Sequence, residues 1–141
     1  MATFLLKTEP GTFSYDDLVR DGRCTWDGVT NPAALQAIRS MKKGDEAMIY
    51  HTGDEKAVVG LAKVTRAAYE DPARPGLNDR GEPKFAVVDL SPLRAVKSPL
   101  TLADIKADKR FTAFALVKQG RLSVMPVPDA LAKAIREKTG L

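Results

Sequence analysis

The chain has 141 residues, of which 44% are hydrophobic and 28% charged, with a formal charge of +4. That suits one independently folding domain over residues 1–141 and is unlike the composition of a disordered or fibrous chain. A single cysteine, Cys24, excludes an internal disulfide and argues against structural zinc, and no apolar run approaches the ~20 residues of a membrane helix. The first eight residues lack the basic start and small-residue cleavage site of a secretory signal, so a cytoplasmic location is expected. Charge is uneven: residues 1–70 carry nine Lys/Arg against ten Asp/Glu, and residues 71–141 carry thirteen against eight. A basic C-terminal half attracts phosphates, and it is equally compatible with an ordinary solvated surface.

Phe4-Leu5-Leu6 begins as a short buried strand. Ser14 with Asp17 three residues on reads as a capped helix start, with Leu18 and Val19 behind it and Asp21-Gly22 as its stop. Asn31-Pro32 opens another helix, Asn as cap and Pro in the first turn. Its apolar face is Ala34, Leu35 and Ile38, Met41 continues the spacing, and Lys42-Lys43-Gly44 closes it with favourable charge. Strands follow over 47–50 and 57–64, joined by a polar hairpin-type segment. Residues 70–83, rich in Pro and Gly, read as a mobile surface loop.

Phe85–Leu90 is the next strand, continuing weakly toward Val96. Thr101 with Asp104 opens a short helix to about Lys106, and residues 111–117 lean to helix. Arg121–Val127 is strand-like, with Pro126 at an end or edge. Pro128-Asp129 starts a last helix over Leu131 and Ile135, with Gly140 past its end. The order β-α-α-β-β-β-α-β-α, with short hairpin-connected strands, predicts the α+β class: a small mixed or antiparallel β-barrel with flanking helices.

Three polar turns stand at the ends of these elements. They are Lys7-Thr8-Glu9-Pro10, the segment Thr25–Asn31 with the only tryptophan, and Tyr50-His51-Thr52-Gly53 with the only histidine. Brought to one mouth, they give an aromatic plate ringed by hydroxyls, an amide, a carboxylate and an imidazole, which suits a flat ligand with polar edges such as a nucleobase. Each residue also has a plainer reading. Trp26 either stacks on a base or fills the core. Ser14 and Asn31 are explained by helix capping, although a helix N-terminus also favours an anion and Asn31 offers a donor and an acceptor to a base edge. Tyr50 and His51 are adjacent on a strand, so at most one faces a shared pocket unless the strand ends there. His51 has no second histidine or close cysteine, and no metal or other cofactor is expected. Lys7 and Glu9 share a strand face, either as a solvated ion pair or with Glu9 accepting from a cytosine amine. Arg121 holds a phosphate or an acidic neighbour. Lys42, Lys43, Arg74, Arg80, Lys84, Lys109, Arg110 and Lys118 either line a nucleic-acid groove or are solvated.

Seven segments together resemble the EVE domain family of the PUA-like superfamily. They are Phe4–Pro10, Phe13–Leu18, Trp26–Asn31, Met41–Asp45, Tyr50–Gly53, Ala57–Val64 and Arg121–Val124, in collinear order over nearly the whole chain. The resemblance implies a small barrel with flanking helices that reads modified bases in DNA or RNA. It implies a pocket near Trp26, Ser14, Asn31, Tyr50, His51 and Ser123, with Lys7, Thr8 and Glu9 at its rim. This chain departs from the family in having Thr30 for an arginine, Thr52 and Gly120 for serines, and Phe4 for a tryptophan. Loss of an arginine beside Asn31 removes a phosphate contact.

The expected function is therefore a non-catalytic module that binds nucleic acid and takes up a modified base, a 5-substituted cytosine. Two alternatives stand beside it: an enzyme acting on a modified nucleobase or nucleotide through a Cys24/His51 pair, and an accessory domain that recognises a protein partner. Against the enzyme stand the lack of a metal-ligand set, of a Gly-rich cofactor loop and of a nucleophile motif with its own base.

Overall fold

The parallel pairing of the first strand decides the architecture. In a computed structural model that describes residues 1–141, β1 (Thr3–Thr8) lies between β3 (Glu46–His51), parallel to it, and β6 (Val124–Val127), antiparallel. A parallel neighbour requires a crossover rather than a hairpin. The crossover here carries α1 (Tyr15–Asp21), β2 (Cys24–Trp26) and α2 (Pro32–Ser40). β3 then turns back into β4 (Ala57–Glu70) and β4 into β5 (Ala86–Thr101), both antiparallel, and β2 adds to the far side of β5.

The six strands run in the order β2-β5-β4-β3-β1-β6. No ladder joins β2 to β6, so the expected barrel is corrected to an open, mixed sheet. Register shifts bend the β4–β5 pair at four places, because each extra residue kinks its strand. The sheet curls, yet α2 occupies the interval: it packs against β6 from one end of the sheet and against β5 and β4 from the other. Its Ala34, Leu35, Ala37 and Ile38 are buried there, as the apolar spacing in the sequence predicts.

Helix starts follow the capping signals. Ser14 and Asp17 form a reciprocal capping box at α1, and the Asn31 side chain accepts from the Ala33 and Ala34 amides at α2. α1 is docked across β4 by Tyr15. A Cβ at Gly60 would lie 2.4 Å from the Tyr15 ring, so only glycine leaves room, and the Tyr15 hydroxyl donates to the Leu61 carbonyl at 2.7 Å. α3 (Leu102–Ala107), a 3₁₀ turn (Lys109–Phe111) and α4 (Ala115–Lys118) pack beneath, and α5 (Asp129–Thr139) closes the chain, with Arg136 paired to Glu46 of β3.

Three further expectations are corrected. Residues 24–26 are a strand, not a turn, because they pair with Val88–Leu90. β6 begins at Val124 rather than Arg121, since Leu122 N–H closes a turn on the Gln119 carbonyl. Residues 70–83 are not a freestanding loop but are bonded to neighbouring elements and to themselves: Arg74 donates to the Val29 carbonyl and to Asp71, Arg39 donates to the Pro83 carbonyl, and Asn78 accepts from the Arg80 and Glu82 amides. No helix is long and apolar enough to cross a membrane.

Candidate functional site

The ends of β1, β2 and the turn before β6 meet at a cleft of about 600 Å³, within the range of small-ligand sites. β1 contributes Lys7 and Thr8, with Glu9 in the turn that follows. That turn folds tightly, Thr12 and Phe13 amides donating to the Glu9 carbonyl, so all three side chains reach the cleft despite strand alternation. β2 and the segment after it contribute Cys24 through Asn31, and the approach to β6 contributes Arg121 and Ser123.

Trp26 forms the inner wall. The residue is only 8% exposed, and its ring meets that of Phe13 in a T-shaped contact at a separation of 6.4 Å and an interplanar angle of 78°. It is thus both core and cleft wall, presenting a strip of ring rather than a free plate. Lys7 donates to the Gly120 carbonyl at 2.9 Å and sits 5.9 Å from the centre of the Tyr50 ring. Its partial burial lowers the ammonium below its ordinary range. Glu9 accepts from the Gly11 amide at 3.1 Å and from the Thr52 hydroxyl at 3.2 Å, which leaves lone pairs on a carboxylate that accepts about four bonds. Thr8 donates to the Phe13 carbonyl at 2.7 Å. Two cations (Lys7, Arg121) and two carboxylates (Glu9, Asp27) balance across the opening.

Of the residues singled out from sequence, Lys7, Thr8, Glu9, Trp26, Asn31, Arg121 and Ser123 line this cleft together. Five others do not. Ser14 is engaged in its capping box. Tyr50 lies buried behind Lys7, its β-sheet partner, and burial raises its phenol. His51 is buried and fully bonded: its Nε2 accepts from the Tyr15 amide at 3.0 Å, and its Nδ1 lies 2.6 Å from Glu55. Nε2 as acceptor places the proton on Nδ1, which donates to the carboxylate. Lys42 and Lys43 follow the C-terminal end of α2, whereas the cleft touches its N-terminal end. Cys24 lines the cleft, but burial and the nearby Asp89, Asp27 and Asp21 push its thiol up to about 12. With His51 engaged elsewhere, no Cys–His dyad forms. Phe13, Thr25 and Asp27 are cleft residues to which the sequence assigned no individual role, although Thr25 and Asp27 lie in the polar segment expected at the mouth. Phe13 precedes a helix cap, the position where an apolar residue packs back on its surroundings, and it opens one of the segments that carry the family resemblance.

Comparison with known proteins adds the following. The EVE domain profile matches residues 2–138. Thymocyte nuclear protein 1 of Homo sapiens is 32% identical over 124 residues, covering 74% of this chain and 55% of the relative. The Rattus norvegicus protein of the same name is 30% identical over 152 residues, covering 88% and 67%. The chain therefore spans about half to two thirds of the length of these curated relatives. An NMR structure of a Rhodopseudomonas palustris protein is 37% identical with a TM-score of 0.88, covering 99% of this chain and 94% of that one. A crystal structure of human THYN1 protein in complex with 5-methylcytosine-containing DNA is 26% identical with a TM-score of 0.88, covering 100% and 99%.

Proposed function

Because the chain belongs to the EVE domain family, we propose that it is a non-catalytic nucleic-acid-binding module that takes one 5-substituted cytosine into the cleft beside Trp26. The observation that carries this reading is that one cleft gathers an aromatic wall, two carboxylates and two cations. Cytosine presents an exocyclic amine, which needs an acceptor, next to a ring nitrogen and carbonyl, which need donors. Glu9 and Asp27 supply the first, and Lys7 and Arg121 the second. Similarity along the whole chain to a protein solved with 5-methylcytosine DNA supports the same assignment.

Flipping a base costs a few kcal/mol, and a mostly buried tryptophan returns only part of a full stacking surface. Moderate affinity with a marked salt dependence follows. Thr30 stands where the family usually has arginine, so Arg121 is the exposed cation left at the mouth.

The experiment is titration of the purified chain with oligonucleotides carrying cytosine, 5-methylcytosine or 5-hydroxymethylcytosine, single- and double-stranded, at two salt concentrations. The expected result is a preference for one modified base that persists at the higher salt. Equal binding that disappears with salt would show only a charged surface at work and would defeat the base-reading proposal.

A further inference from the structure

A row of polar side chains crosses three strands beside the cleft. Thr25 of β2, Asp89 of β5 and Arg66 of β4 are successive sheet partners. Trp26, Val88 and Leu90, their neighbours along the strands, are buried, so strand alternation turns this row to the outer face. The Thr25 hydroxyl donates to Asp89 Oδ1 at 2.9 Å, and the Tyr69 hydroxyl donates to the same oxygen at 2.6 Å. The Arg66 guanidinium lies on the Tyr69 ring, 3.6 Å from its centre. Arg66 enters no ion pair.

Thr25 is also a cleft residue. The network therefore ties a flat guanidinium to the cleft wall through one phenol and one carboxylate. A guanidinium stacked by its face keeps its N–H edge for a planar or tetrahedral anion, and holding it in place removes much of the rotamer entropy that an arginine otherwise loses on binding. Asp89 is already bonded by two hydroxyls. Lys63, opposite Ser91 two pairs along the ladder, and Arg23, just before β2, are exposed and likewise in no ion pair.

We propose that this outer face of β2–β5–β4 is a phosphate-contact surface for the nucleic-acid backbone leaving the cleft, with Arg66 on Tyr69 as its fixed point. The inference rests on the nucleic-acid reading above and adds the path of the strand.

The test is salt-dependent titration of the full chain with unmodified and 5-methylcytosine oligonucleotides, wild type against Arg66→Gln. Losing one phosphate contact should lower the slope of log affinity against log salt by about 0.7 on single strands and about 0.9 on duplex. Binding should weaken roughly threefold to tenfold, by the same factor on both oligonucleotides. Tyr69→Phe, which keeps the ring, should leave the slope unchanged. Arg66→Gln should melt with the wild type, since the side chain is exposed. An unchanged slope in Arg66→Gln, or a loss confined to the modified oligonucleotide, would overturn the proposal. If wild type shows no base preference yet Arg66→Gln still lowers the slope, the base-reading proposal fails and this surface stands. If wild type prefers the modified base and Arg66→Gln is silent, the reverse holds. No binding to either oligonucleotide would sink both.

Discussion

Replacing Trp26 tests the cleft most directly, and the structure sets the size of the effect. Stacking on an aromatic side chain contributes roughly 1–3 kcal/mol per base. With 8% of its surface exposed, Trp26 offers a strip, so the lower end applies, about 1–1.5 kcal/mol, or roughly a five- to twelvefold change in Kd. Trp26→Ala confounds this, because emptying a buried tryptophan costs about 3–5 kcal/mol of stability and the edge contact with Phe13 adds to the loss. Trp26→Phe keeps a ring in the wall and is the better probe. We expect it to remain cooperatively folded and, because a smaller ring keeps part of the stacking, to bind the 5-methylcytosine oligonucleotide about three- to fivefold more weakly. Its affinity for the unmodified oligonucleotide, which depends on backbone charge, should change less than about twofold. Fluorescence anisotropy at fixed salt, with circular dichroism melting as the folding control, measures both. Equal losses on the two oligonucleotides, or no loss on either in a folded variant, would refute stacking at Trp26.

Other side chains separate structural from binding roles. His51→Ala leaves the buried Tyr15 amide without its acceptor and should cost about 1–3 kcal/mol in urea unfolding. His51→Gln, able to accept and donate along the same line, should recover part of it. Lost binding at unchanged stability would instead make His51 a ligand contact. Gly60→Ala places a methyl 2.4 Å from the Tyr15 ring and should destabilise by about 1–3 kcal/mol through overpacking; a neutral variant would show that α1 can lift off β4 freely. For Cys24, the thiol raised from 9.0 to about 12 holds roughly a thousandfold less thiolate at neutral pH than an ordinary cysteine. Alkylation should be correspondingly slow and rise about tenfold per pH unit up to that value. Rapid labelling of the folded protein at pH 7 would contradict it.

How far the sequence could be read depended on the range of each signal. Helix starts were legible because a cap and the amides it serves lie within three residues: Ser14 with Asp17, Asn31 with Ala33 and Ala34, Thr101 with Asp104. The three polar turns were visible, and two of them meet at the cleft. The third does not. Tyr50 and His51 end β3 beside β1, but His51 is drawn to an amide 36 residues away, a contact that no local pattern encodes. Strand 24–26 was hidden for a related reason: three residues carry no periodicity of their own, and their extended form is set by pairing with β5. Openness of the sheet was equally beyond local reading, since it depends on α2 reaching both ends of the curl.

The short strand β2 also explains how base selection and backbone binding can sit side by side with Thr25 as their one shared side chain. It is an edge strand of three residues, and alternation turns Trp26 inward while Thr25 faces outward. Trp26 is gripped by the core and by Phe13, whereas Thr25 is gripped by Asp89 and Tyr69. A phosphate held at Arg66 therefore acts through the outer network, and a base at Trp26 acts through the inner one. Residues more than about 7–10 Å apart with no shared partners change binding additively, within a few tenths of a kcal/mol. Trp26 and Arg66 touch no common side chain and are linked only through Thr25 and the β2 backbone, so the double variant should lose the product of the two single factors on the modified oligonucleotide and the Arg66 factor alone on the unmodified one. A loss well short of that product would mean that β2 moves as a unit when either face is disturbed, and that the two sites are one.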